Sequence, residues 1–337
     1  ARPSSCSTWS SLSRYDRGEA MNFDQFVGLD DLIAPLRAEF QAQRFVHAYL
    51  FSGPAGTGKR SAAAICARAV HCVGALKPCD QCPPCKRMLS GTHPDHTEVS
   101  ASGRSIGVDE VRDLIQRVSI KPFEGGRHTV VIIGAEKMTV QAQNALLKTL
   151  ETPPGGAVFF LLTTTPSQLL PTIVSRCRHE RFRPVPAEVT EQALLSYGVS
   201  QEKAALAALA ASGSIGLALE RLNDAGYWSL RDRVLDSLKA LKGPWAVGEA
   251  AQKLAGDKEN AQQVMEIFET LARDRVRASL GMASAQAGQP KDMTVDGESL
   301  LHGVVAARQK LNANVSWQTV LEMMYFDCLR GSISWQQ

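Results

Sequence analysis

The sequence predicts an α/β fold, a parallel sheet covered by helices on both faces, followed by an all-helical remainder. Three observations carry that prediction. Uninterrupted apolar runs alternate with helical periodicity as far as Pro184. A glycine-rich turn joins the first of those runs to a helix. Beyond Pro184 and Pro186 only helical periodicity remains. Strands that are apolar throughout are those buried on both faces, as in a parallel sheet flanked by helices.

The elements follow in order. AYLFSG, from Ala48, is the first buried strand, and SAAAICARAVH, Ser61 to His71, is an alanine-rich helix. GTHPDHTEVS leads from a loop into a strand. GVDEVRDLIQRVSI sets Val108, Val111, Leu114, Ile115 and Val118 on one helical face. TVVIIG, Thr129 to Gly134, is an apolar strand. TVQAQNALLKTLE is a helix closed by Pro153 and Pro154. AVFFLLTTT, Ala157 to Thr165, is another buried strand. Residues 187–222 are rich in Ala and Leu, enough for a small helical domain, and Gly226 opens a break. Helices are predicted over about 228–241, 246–255 and 260–280, then near 299–312 and 316–329, with GMASAQAGQPKDM as a surface loop. The expected organisation is a disordered or non-native extension over 1–20 and a phosphate-loop domain over 21–185 with a cysteine module at 72–85. A small helical lid over 186–225 and a helical C-terminal domain over 226–337 complete it.

A chain of 337 residues has room for two or three domains with proper cores. Its 37 Lys and Arg against 34 Asp and Glu leave a net charge of +3. That excess neither demands nor excludes a nucleic-acid partner. No apolar run reaches the length of a membrane span, so no membrane partner is expected. The first twenty residues are rich in Ser and Arg and lack the apolar core of a secretory signal. A reducing, cytoplasmic setting is therefore expected, in which clustered thiols read as metal ligands before disulfides.

Residues 53–60 read GPAGTGKR, in which Gly53, Gly58 and Lys59 fit the pattern G-x-x-x-x-G-K-[ST]. With Gly56 they form a loop whose backbone N–H groups face phosphate at a helix N-terminus, the way ATP or ADP is held. Arg60 stands where a hydroxyl should hold Mg²⁺, and as part of the nucleotide loop it is expected to add positive charge but no metal coordination. Ser61 replaces it only if the loop shifts by one residue. Metal carboxylates should end a later apolar strand. Here TVVII is followed by Gly134 and Ala135, and the first acid is Glu136. Two losses in one site argue against hydrolysis and leave nucleotide binding open.

Cys72-x6-Cys79-x2-Cys82-x2-Cys85 suits tetrahedral Zn²⁺ in a structural role, since four thiolates leave no open position. A 4Fe–4S cluster is the lesser alternative. His71, His93 and His96 lie near enough in sequence to replace a thiolate, but they read first as ordinary loop residues. Ser175-Arg176-Cys177 follows LLPTIV. Such an arginine is either an ordinary surface residue or a finger that reaches a phosphate in a neighbour's site.

HAYLFSGPAGTGK, the cysteine insertion, GTHPDHTEV, NALLKTLETPP and TIVSRCR occur in that order. Together they make the chain resemble the bacterial clamp-loader AAA+ subunits, closely over about 23–186 and more loosely through LNANVSWQTVLEMM. The resemblance implies an AAA+ domain, a lid and a C-terminal collar that oligomerises. Motor members (gamma/tau) look like GxxGxGK[ST] with a strand ending in Asp-Glu and a sensor arginine in GS-x-R. Those positions here are Arg60, Ile133-Gly134 and Gly216. The chain is similar instead to the stator type, in which these motifs have decayed.

That likeness implies a non-hydrolysing part of the DNA polymerase III holoenzyme. The implied partners are gamma/tau and delta subunits in a hetero-pentameric ring. The ring acts on the sliding clamp and primed DNA at replication forks, and Arg176 is its trans arginine finger. One departure is Glu151-Thr152, where the family commonly has Glu-Glu. Two rivals remain. One is an active motor ATPase. The other is a zinc-dependent nucleic-acid module, for which the cysteine segment is poor in aromatics and positive charge.

Overall fold

The computed structural model describes residues 21–101, 103–124, 126–281, 295–313 and 315–333. The expected extension over 1–20 and the surface loop from Met282 onward lie outside the described residues. The chain forms two compact units, Ala1–Val185 and Pro186–Gln337.

The first unit holds five parallel strands. They are β1 (Ala48–Ser52), β2 (His96–Ser100), β3 (Thr129–Ile133), β4 (Val158–Thr163) and β5 (Arg178–Arg181), in the spatial order β2-β3-β4-β1-β5. β1 and β4 are buried along their whole length, as their uninterrupted apolar runs require. Alternate residues serve opposite faces. Tyr49, Phe51 and Phe160 join the core that contains α1 (Asp30–Gln41) and α2 (Lys59–His71). Leu50, Phe159 and Leu161 join the core that contains α4 (Val108–Ser119), α5 (Val140–Glu151) and α6 (Pro171–Val174). On α4 most of the predicted stripe faces inward, with Val111, Leu114 and Val118 buried and Ile115 packed beside them, while Val108 in the first turn is half-buried and outside that core. α5 ends at Glu151, just before the two prolines.

Three elements of this unit lack a signal of that kind. β5 reads RHER and lies at the sheet edge, paired only with β1, from Tyr49↔Arg178 to Ser52↔Arg181. An edge strand needs no apolar run. α1 carries Pro35 in its interior. α3 (Pro83–Leu89) starts on two prolines inside the cysteine segment, where proline is tolerated because the first N–H groups have no helical partner.

The second unit is all-helical. α7 (Ala187–Ser196), α8 (Gln201–Ala210) and α9 (Ile215–Asn223) precede α10 (Ala225–Ala240), α11 (Val247–Gln252), α12 (Ala261–Ser279), α13 (Gly297–Asn312) and α14 (Trp317–Ile333). The break expected at Gly226 falls instead at Asp224. Its carboxylate accepts from Tyr227 N at 2.9 Å and caps α10, which leaves Gly226 inside the first turn. The helix expected over 246–255 is shorter, because 3₁₀ turns at Pro244–Ala246 and Ala255–Asn260 flank α11. Phe268, Met324 and Tyr325 lie in one core, where the Tyr325 hydroxyl donates to Ser237 Oγ at 2.7 Å. Trp317 Nε1 donates to Leu254 O, also at 2.7 Å. No single described helix is long and apolar enough to cross a membrane.

Candidate functional site: phosphate loop, thiolate cluster and Arg176

The phosphate loop leaves the C-terminal end of β1 and enters α2 at Lys59. Its glycines are required by packing. Gly53 has φ +145°, and a Cβ there would lie 2.1 Å from Phe182 O. Gly58 has φ +89°, and its Cβ would lie 2.8 Å from the Phe26 ring. Gly56 also has positive φ, a region that glycine adopts without steric cost. Thr57 Oγ1 donates to Pro54 O at 2.9 Å, which braces the turn.

Lys59 is 8% exposed, and its ammonium donates to Gly53 O at 2.6 Å and Pro54 O at 2.5 Å. Burial lowers its pKa to about 8, while the Glu136 carboxylate pulls the other way. Arg60 turns away to Glu98 on β2, with Nη2 2.9 Å from Oε2. Its charge is therefore neutralised at the sheet edge instead of being added to the loop. Ser61 is buried in the first turn of α2.

β3 ends at Ile133 and turns through Gly134 in the left-handed region. Glu136 follows on a 3₁₀ turn and is the carboxylate that meets Lys59 through space. It accepts from Thr164 Oγ1 at 2.7 Å and Thr164 N at 3.3 Å. Burial pushes its pKa up, but hydrogen bonds led by Thr164 outweigh that and hold the carboxyl below its ordinary value. The sequence signal for this pairing is weak, because Glu136, Thr164 and Lys59 come from three separate elements. Gly216, which the resemblance sets at the sensor position, lies exposed in the first turn of α9.

The four cysteines converge. Cys72 caps the end of α2, Cys79 lies in the following loop, Cys82 precedes α3 and Cys85 lies within it. Their sulfurs are all within 4.8 Å of one another, so they can hold a metal ion. A tetrahedral site with metal–sulfur bonds of about 2.3 Å needs sulfurs about 3.8 Å apart, so the donor set fits. Backbone N–H groups aim at the sulfurs, from Gly74 and Cys79 to Cys72 and from Cys82 to Cys79. N–H groups of Gln81 and Cys82 lower the Cys79 thiol to about 6, whereas burial raises Cys72 and Cys85. Gly74 is needed here, since a Cβ would lie 2.8 Å from both Cβ and Sγ of Cys79. Arg68 anchors the module from α2 through Asp80, at 2.6 Å.

The neighbouring histidines are engaged elsewhere. His71 Nε2 and His96 Nδ1 hydrogen-bond to Thr129 Oγ1 at 2.9 and 2.8 Å. The His71 and His93 rings are 4.0 Å apart. Burial, then His93, lowers the His71 pKa to about 3.

Arg176 follows α6. Its Nε donates to Glu151 Oε1 at 2.7 Å, Nη2 reaches the same oxygen, and Nη1 donates to Thr172 O at 3.0 Å. Glu151 is the last residue of α5. The guanidinium thus has a fixed place, yet its side chain is 32% exposed.

A phosphate loop between β1 of a parallel five-stranded sheet and the helix that follows it, with an all-helical unit later in the chain, defines a P-loop protein of the AAA+ class. A family model described as DNA polymerase III, delta subunit, matches residues 28–186. The delta' subunit of Bacillus subtilis DNA polymerase III is 30% identical over 298 residues, which cover 84% of this chain and 90% of that subunit. The chain belongs to the clamp-loader AAA+ family of DNA polymerase III subunits. The delta' subunit of Pseudomonas aeruginosa is 39% identical over 201 residues, 58% of this chain and 61% of that subunit. The tau subunit of B. subtilis is 39% identical over 175 residues, 51% of this chain and 30% of that protein. The chain therefore spans less than two thirds of either of these last two. The crystal structure of a DNA polymerase III gamma-subunit-related protein from Thermotoga maritima shares the fold. Its TM-score is 0.50 at 18% identity, over 88% of this chain and 99% of that one.

Proposed function

We propose that the chain is a non-hydrolysing, delta'-type subunit of the DNA polymerase III clamp loader. The observation that carries this reading is the metal side of the phosphate loop. Arg60 replaces the hydroxyl and is bound to Glu98, and β3 ends at Ile133 and is followed by Gly134 where carboxylates would hold Mg²⁺. Gly53, Gly56, Gly58, Lys59 and Ser61 form an inherited nucleotide pocket for ATP or ADP that turns nothing over. Cys72, Cys79, Cys82 and Cys85 hold a structural Zn²⁺.

In this reading the chain acts through Arg176, which reaches the ATP of an adjacent gamma/tau subunit and stabilises charge on the transferring phosphoryl group. Residues 186–225 form the lid, and 226–337 form the collar that joins gamma/tau and delta subunits in a five-membered ring. The ring opens the sliding clamp and closes it on primed DNA in the bacterial cytoplasm. Co-purification with gamma/tau and delta subunits tests the reading, and failure to assemble refutes it. The Glu136 carboxylate, whose charge acts on Lys59, favours one other reading, a gamma/tau-type motor. Mg²⁺-dependent ATP turnover by the isolated chain would establish that alternative instead.

A further inference from the structure

The second unit carries an aromatic residue that its own core does not use. Trp245 is 83% exposed on the turn between α10 and α11. Its ring lies over the buried Gly243. A Cβ at Gly243 would meet the indole Cη2, Cζ3 and Cζ2 at 2.5, 2.6 and 2.9 Å. The absence of a side chain at Gly243 therefore seats the ring against the backbone on one side. Beside it lies an open depression of about 440 Å³ lined by Lys239, Lys242 and Lys253, together with Asp236 and Glu249. Lys239 pairs with Asp236 at 3.1 Å, whereas Lys242 and Lys253 form no ion pair with any described residue.

We propose that this depression binds single-stranded nucleic acid, with one base stacked on Trp245 and the backbone phosphates on Lys239, Lys242 and Lys253. A seated, solvent-facing indole offers a π-face to an unstacked base, and flanking ammonium groups complement its phosphates. Duplex bases present no free face. The two carboxylates keep the affinity modest. This site lies outside the clamp-loader reading, which stands or falls on subunit assembly.

The test is fluorescence anisotropy of a labelled oligo-dT with the full chain across a salt series. Three phosphate contacts give a slope of log K against log salt of about −2. Trp245→Ala weakens binding about tenfold with the slope unchanged, and Trp245→Phe restores most of it. Replacing Lys242 and Lys253 by Ala together brings the slope to about −0.7. Salt-insensitive binding, no binding, or indifference to Trp245→Ala overturns the proposal. So does equal binding of duplex DNA or of oligo-glutamate. Loss of binding on metal chelation with Trp245→Ala silent also overturns it, and assigns the strand to the cysteine module.

Discussion

Lys59 and Arg176 are both cations, but their surroundings make opposite use of the charge. Burial holds Lys59 at about 8 against an ordinary 10.5. Between those values the unfolded chain keeps a proton that the folded chain has released. Stability therefore rises with pH across that window, and the destabilisation is complete below it. Lys59→Met should remove this slope, so chemical denaturation of the two proteins from pH 8 to 10.5 should converge as pH rises. Arg176 pairs with Glu151 near the surface, where such pairs contribute about 0–1 kcal/mol. Arg176→Ala is thus expected to leave melting of the chain almost unchanged. In a reconstituted clamp loader it should lower DNA- and clamp-stimulated ATPase, by up to about 10³-fold. Arg60→Thr restores the loop pattern but not the carboxylates after β3, so ATPase of the isolated chain should stay at background. Turnover by that variant would show that Glu136 suffices.

At the scale of elements, the cysteine module is a segment organised around its sulfurs. Its ordered parts are a helix of seven residues and a loop. One Zn²⁺ per chain is expected by elemental analysis, and Co²⁺ exchange should give the absorption of tetrahedral thiolate coordination. Chelation should lower the stability of the first unit, since metal binding free energy is folding free energy. Gly74→Ala forces a Cβ onto Cys79 and should weaken metal retention severalfold while far-UV circular dichroism is kept.

The spacing of the four cysteines made this module legible in sequence. β1, β3 and β4 were legible for a different reason, since residues buried on both faces must be apolar. β5 was not, because Arg178 and Glu180 sit at an edge that tolerates charge. The Asp224 cap was missed because Gly226 is the stronger local breaker, and only the folded chain reveals which residue closes the helix.

For the whole molecule, the change from alternating strands and helices to helices alone near Pro184 falls beside the boundary between the two units at Val185 and Pro186. The links that assemble the candidate site were less visible. Glu136 to Thr164, Arg60 to Glu98 and Arg176 to Glu151 each join separate elements, and periodicity along the chain carries no trace of them. In the second unit, Tyr325→Phe should cost about 1 kcal/mol, because it removes the buried donor to Ser237 while keeping the ring. Urea denaturation measures that loss.

Gly53 and Gly58 bear on how such chains diverge. Phe182 O and the Phe26 ring leave no room for a side chain at either position. Selection for folding alone would keep both glycines in a lineage that had stopped burning nucleotide. A signature of this kind can outlive its chemistry, and the residues free to drift are those that answer only to the metal. On the proposed non-hydrolysing reading, Arg60 and Ile133 are therefore better witnesses to the chain's history than the glycines that first draw the eye.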